Sequence, residues 1–165
     1  MHKVILSIGT NLGDKLKNIY TSLLLLEKKL VQIEKISSVY RTKSLLLDDQ
    51  PDYFNIVVEA ETKLFQIELL DVCKEIEKKM GRTHTERWMP RIIDVDIIDF
   101  NRKVFITDEL IIPHLQFHKR SFVVYPMKEI CPDYIHPVSK KSLEYFIKKI
   151  ECDLAIKRVG VLKWP

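Results

Sequence analysis

The 165-residue chain has no long apolar run, no internal repeat and no low-complexity tract. Its first strand-like stretch, Lys3 to Ile8, is too short for a signal-peptide core or a membrane span. Cysteine is scarce. Cys73, Cys131 and Cys152 are odd in number and show neither CxxC nor metal-ligand spacing, which argues against a disulfide framework or a thiolate metal site. Both shortages point to a reducing, cytoplasmic setting. A large excess of one charge is missing too. The net charge of +4 suits a small anionic substrate but is no nucleic-acid signature. Glycines lie close together in Gly9-Thr-Asn-Leu-Gly13-Asp-Lys15, but no Gly-Lys-Ser/Thr follows, so a P-loop is excluded. With no linker in sight, residues 1–165 read as a single domain, long enough to bury roughly 70% of its unfolded surface.

What the chain does have is concentrated in residues 81–96. Arg82, Arg87 and Arg91 are followed at once by Asp94 and Asp96. A guanidinium fork meets phosphate oxygens bidentately. Paired carboxylates suit Mg²⁺, a hard cation often shared with substrate phosphates. Val95 to Phe100 reads as a strand. A two-residue spacing there puts both carboxylates on one face, with Val95 and Ile97 on the other toward the core. An exposed basic turn beside a solvated strand face is the plainer reading, but the arginines, Trp88 and Pro90 clustered there favour phosphate and metal work.

In chain order, Val4 to Ile8 predicts a strand ending at Gly9. Asn11 can cap a helix over 13–31, with Asp14 in a capping-box-like position and an apolar stripe of Leu16, Ile19, Leu23, Leu26 and Leu30. Ile33 to Arg41 predicts a second strand, Thr42 to Pro51 a loop, and Asp52 to Glu61 a third strand. Leu64 to Met80 is a second helix, with Phe65, Leu69, Cys73, Ile76 and Met80 on one side and Gly81 as its stop. The fourth strand, 95–100, turns into a short partner at 104–106. A helix or turn-helix over 118–130 and a last helix over 142–150 follow, in a region punctuated by Pro126, Pro132 and Pro137. The order β-α-β-β-α-β is the ferredoxin-like plan: an α+β fold with an antiparallel sheet, both helices on one face and the other face open to ligands.

Three further positions carry groups that packing alone does not require. Asn55 interrupts the apolar run of the third strand. Its amide offers donor and acceptor to a heterocycle, or is a buried amide bonded to backbone. Tyr53 shares its strand face. His114, after Pro113, either donates to phosphate or caps a turn. Arg120 with Phe122 is either a cation beside a stacking surface or surface charge.

Across most of its length the chain resembles the 6-hydroxymethyl-7,8-dihydropterin pyrophosphokinase family of folate biosynthesis. The resemblance is carried by Ser7-Ile-Gly-Thr-Asn-Leu-Gly13, Tyr40-Arg-Thr42, Asp49-Gln-Pro-Asp-Tyr-Phe-Asn55, Glu77 with Gly81-Arg82, Arg87-Trp-Met-Pro-Arg91-Ile-Ile-Asp94-Val-Asp96, Ile112-Pro-His114 and Arg120-Ser-Phe122. It implies transfer of the terminal diphosphate of ATP to the pterin hydroxymethyl group, leaving AMP. It further implies two Mg²⁺ ions on Asp94 and Asp96. The pterin site would comprise Thr42, Leu45, Tyr53, Asn55, Trp88 and Phe122. ATP would lie among Glu77, Arg82, His84, Trp88, Arg91, Ile97, His114 and Arg120, with Arg82, Arg91, Asp94 and Asp96 as the catalytic set. The partners expected are small molecules, ATP and a reduced pterin, with no nucleic acid and no membrane, acting on a monomer.

The chain also departs from the family pattern. Lys43 and Ser44 stand where prolines are usual, Leu46 and Met89 where glycines are, and Leu115 where an aromatic is often found. The stretch between Arg82 and Trp88 is one residue short, and His84 falls where a second arginine is common. A ferredoxin-like RNA-binding module is the competing class. It would need aromatics on the first and third strands for base stacking, and Val4 to Ile8 has none. A pterin-binding relative without catalysis would be marked by loss of Arg91, Asp94 or Asp96, and all three are present.

Overall fold

A computed structural model describes residues 1–43, 50–82, 90–150 and 156–165. Its main sheet is antiparallel and six-stranded. β1 (His2–Thr10) lies at its centre, between β5 (Asp94–Phe100) and β4 (Tyr53–Thr62). β4 pairs on its other side with β2 (Val31–Ile36) along one half and β3 (Ser38–Thr42) along the other, and β8 (Lys157–Val161) adds to β3. Two-residue strands β6 (Phe105–Ile106) and β7 (Ile111–Ile112) form a separate hairpin.

Alternation along the strands sorts apolar side chains to two faces. Val4, Leu6 and Ile8 of β1, Ile56, Val58 and Ala60 of β4, and Val95 and Ile97 of β5 build one core. Helices α1 (Lys15–Lys28) and α2 (Gln66–Lys79) cover it with Ile19, Leu23, Leu26, Leu69, Cys73 and Ile76. Ile5, Val57 and Ile98 face the other way, onto Val123, Val124, Met127 and Ile130 of α3 (Ser121–Ile130) and Leu143 and Phe146 of α4 (Leu143–Lys149). The second face is therefore not open along its whole length, as the ferredoxin-like plan predicted. α3 and α4 close half of it, because Val57 and Ile98 give them an apolar seat. The end carrying Gly9, Asn55, Asp94 and Asp96 lacks such a seat.

Three local expectations change. The strand predicted over 33–41 is two strands meeting at the buried Ser37. Its N–H donates to Val57 O and its hydroxyl accepts from Val57 N, both at 2.9 Å, so one serine meets both backbone groups of Val57. α1 is capped by Asp14, whose carboxylate accepts from Lys17 N at 3.0 Å, and not by Asn11; Leu16 and Leu30 fall outside the buried stripe. Phe65 precedes α2 and is exposed, while its N–H is capped by Glu68 at 2.7 Å. Gly81, at φ +97°, ends α2 as expected. β8 had no counterpart in the sequence reading. It is exposed throughout and held from below by Glu129 of α3, which accepts from Ser38 N, Ser38 Oγ and Tyr40 OH and lies 3.6 Å from Arg158.

Candidate active site

The open end of the second face is built from three strands in register. Gly9 of β1 is the cross-strand partner of Asn55 on β4 and of Asp94 on β5. One row inward, Ser7 lies between Val57 and Asp96. Strands are spaced about 4.8 Å apart, so Asn55 and Asp94 stand about 10 Å from each other with only a glycine between them. A larger residue has no room. A Cβ on Gly9 would sit 2.9 Å from Asn55 Oδ1.

Asn55 is buried, and its Nδ2 donates to Thr42 Oγ1 at 3.1 Å. That bond fixes the amide's orientation and turns Oδ1 to the row above Gly9. Tyr53 begins β4, half-buried, and burial raises its pKa while Arg91 pulls it back. Phe122 packs on the α3 side at the edge of the second core, with the Arg120 guanidinium 5.8 Å from its ring centre.

On the β5 side, acids and arginines neutralise one another. Asp94 accepts from Arg82 at 2.6 Å through Oδ1 and from Arg91 at 2.9 Å through Oδ2. Arg82 also pairs with Glu77, whose carboxylate accepts from Val95 N at 2.8 Å and so ties α2 to the start of β5. Arg120 lies 3.4 Å from Asp96. Burial, and then the charge of Asp94, push the Asp96 carboxyl above its ordinary range in spite of the three arginines. Burial likewise raises Glu77, with Asp94 adding to it and the Val95 N–H opposing. His114 donates its N–H to Ile98 O at 3.0 Å, and its Nδ1 accepts from Gln116 N at 3.2 Å. Burial, then Arg120, hold its imidazole down at about 4, so it is neutral near pH 7.

The structure thus brings Thr42, Asn55 and Tyr53 together on β3 and β4, and Glu77, Arg82, Arg91, Asp94, Asp96 and Arg120 around the start of β5. The side chain of Ile97 lies in the core under α1 and α2, on the face opposite the acids. Leu45, His84, Arg87 and Trp88 lie outside the described residues. Two residues that the sequence reading did not place in the site shape it: Gly9, by its closeness to Asn55, and Asn11, which is bonded to the Arg91 backbone.

This chemistry suits a polyphosphate and a hard cation. Arg91 Nε is buried without a hydrogen-bond partner among the described residues, a donor left over for an anion. No group of three or more His, Cys, Asp or Glu that could hold a metal ion occurs among them. Two carboxylates alone are what Mg²⁺ uses when phosphates complete its shell.

Comparison with known proteins identifies the family. The sequence profile of the 7,8-dihydro-6-hydroxymethylpterin-pyrophosphokinase family matches residues 5–132. The 2-amino-4-hydroxy-6-hydroxymethyldihydropteridine pyrophosphokinase of Aquifex aeolicus is 41% identical over 146 residues, 88% of this chain and 91% of that protein. The Bacillus subtilis enzyme of the same name is 39% identical over 127 residues, 76% of each chain. The folic acid synthesis protein fol1 of Schizosaccharomyces pombe is 37% identical over 146 residues, and here the chain spans only 20% of the relative. Among solved structures, Plasmodium falciparum HPPK-DHPS superposes with a TM-score of 0.75 at 19% identity, over 99% of this chain and 48% of the other. That likeness is one of fold.

Proposed function

This chain belongs to the 7,8-dihydro-6-hydroxymethylpterin-pyrophosphokinase family, and from that premise we propose how its residues divide the work. The activity is transfer of the pyrophosphoryl group of ATP to 6-hydroxymethyl-7,8-dihydropterin, in folate synthesis. The hydroxymethyl oxygen loses its proton and forms a bond to the β-phosphorus. The bond from that phosphorus to the α,β-bridging oxygen breaks, and AMP leaves with that oxygen.

Phosphoryl transfer needs little covalent help from protein; positioning and neutralisation of charge do most of the work. The row Asn55–Gly9–Asp94 carries this reading. It sets an oriented amide about two strand spacings from a carboxylate on one open face. Asn55, held by Thr42, reads the amide-like edge of the pterin, and Tyr53 and Phe122 supply flat surfaces for its ring. Arg82, Arg91 and Arg120 now engage Asp94 and Asp96, and a polyphosphate competes for the same guanidiniums. His114, neutral at pH 7 with Nδ1 accepting from Gln116 N–H, donates from Nε2 without adding charge. Leu45, His84 and Trp88 complete the two subsites on the strength of the family resemblance. Asp94 and Asp96 would hold two Mg²⁺ ions, which would screen the polyphosphate and stabilise the charge that develops on transfer.

The protein acts on small molecules as a monomer in this reading. A reducing, cytoplasmic setting is supported by Cys73 and Cys131, both buried and unpaired. No helix of the described residues is long and apolar enough to cross a membrane. Mn²⁺ titration followed by electron paramagnetic resonance, with a non-hydrolysable ATP analogue present, tests the metal assignment. Two ions per chain in the wild type and loss of binding in Asp94→Asn and Asp96→Asn are expected. Unchanged binding in both variants would refute it.

A further inference from the structure

The geometry points to Asn11 as a positioning residue that holds the nucleotide half and the pterin half of the site in register; this rests on the function proposed above. β4 and β5 carry the two halves but are not neighbours, since β1 runs between them. Asn11 directly follows β1 at the site end and reaches both sides. Its N–H donates to Arg91 O at 3.2 Å, and Arg91 N–H donates back to Asn11 Oδ1 at 2.8 Å. That second bond settles which amide atom is the oxygen. It leaves Nδ2 to donate to the carbonyl of Pro51, 3.4 Å away and two residues before Tyr53. One fully buried side chain thus bonds to the backbone that presents Arg91, itself 2.9 Å from Asp94, and to the backbone that leads into β4. No bond from Asn11 among the described residues goes to a guanidinium or a carboxylate, so it acts through the groups it places.

Each half-site keeps its own side chains when Asn11 is changed, whereas the alignment between them does not. Misplacing reacting groups by about 1 Å costs on the order of a hundredfold in rate. The Asn11→Ala protein should therefore bind a non-hydrolysable ATP analogue alone, and the pterin alone, within about threefold of wild type, while kcat falls roughly 30- to 100-fold. Asn11→Asp, assayed at pH 8, keeps an acceptor for Arg91 N–H and loses the donor to Pro51. It should hold the nucleotide affinity and still lose about tenfold or more in kcat, and it serves if Asn11→Ala does not fold. Asn101→Ala provides the comparison for lost stability. Asn101 lies at the far end of β5 in a left-handed conformation, with Oδ1 accepting from Lys3 N at 2.8 Å. This variant should melt earlier with kcat unchanged per folded molecule. A folded Asn11 variant with kcat within threefold of wild type would overturn the proposal. So would a loss confined to the affinity for one ligand. If wild type forms no AMP at all, the functional reading falls first and takes this proposal with it.

Discussion

Replacing Gly9 by alanine should uncouple pterin binding from nucleotide binding. The new Cβ would sit 2.9 Å from Asn55 Oδ1, where ordinary contact starts near 3.4 Å, so the amide must retreat by at least 0.5 Å. Thr42 stands on β3, on the opposite side of β4 from β1, so the retreating amide either crowds Thr42 Oγ1, now 3.1 Å away, or tilts off the sheet and loses that bond. Asn55 is too buried for water to replace that partner freely. An unmet buried polar group costs about 1–3 kcal/mol, equivalent to roughly 5- to 150-fold in affinity. Calorimetric titration of the Gly9→Ala protein should show the pterin weakened by that factor, while an ATP analogue binds within about threefold of wild type. The Arg82, Arg91 and Asp94 bonds do not involve Asn55. Pterin affinity within twofold of wild type would refute the view that Gly9 is there to admit the Asn55 amide. Equal weakening of both ligands would show instead that the strand itself had been distorted.

Other expectations follow from the same geometry. Asp94→Ala and Asp96→Ala should each lower Mg²⁺-dependent turnover by about a hundredfold or more while leaving the circular dichroism spectrum intact; near-normal activity in either would remove it from the metal site. Asn55→Ala should weaken the pterin by about 1–3 kcal/mol with little effect on ATP, and equal losses would make it a structural amide. His114 is held neutral, at about 4 against 6.5 for the free side chain. The unfolded chain therefore takes up the proton first, and the stability that His114 contributes is lost as pH falls from about 6.5 toward 4. Urea denaturation of His114→Gln should show a smaller loss over that window than wild type, and parallel profiles would contradict the assignment. Glu129→Ala should cost roughly 1.5–3 kcal/mol, the scale for hydrogen bonds to a charged group, and speed amide exchange in β8; unaltered exchange there would show that β8 is held by its pairing with β3 alone.

Much of this was legible in the chain because the signals were local. The two-residue spacing of Asp94 and Asp96 fixed their common face, and Val95 and Ile97 lie on the other face, in the core as expected. Asn55 stood out as an amide in an apolar run, and it occupies the head of the cross-strand row. The misses were residues whose local chemistry allows two roles. Asn11 is a good helix cap by type, yet Asp14 is better placed for that task, and Asn11 is drawn instead to Arg91, 80 positions away. Ser37 looks unremarkable within a β-rich run; it divides the strand only because Val57 turns both backbone groups toward it. β8, with its Lys-Arg-Val-Gly-Val sequence, buries no residue and shows no alternation. Its strand identity comes from the free edge of β3 and from Glu129 in α3, which no local pattern reports. The covering of half the second face by α3 and α4 was hidden for the same reason: Ile5, Val57 and Ile98 look like ordinary strand residues until a partner packs on them.

Incubating the protein with ATP, Mg²⁺ and 6-hydroxymethyl-7,8-dihydropterin, and separating the nucleotide products, tests the transfer most directly. One AMP should form for each pterin diphosphate, with none when the pterin or the Mg²⁺ is left out. ADP as the product, or AMP released at the same rate without the pterin, would contradict attack on the β-phosphorus at this site.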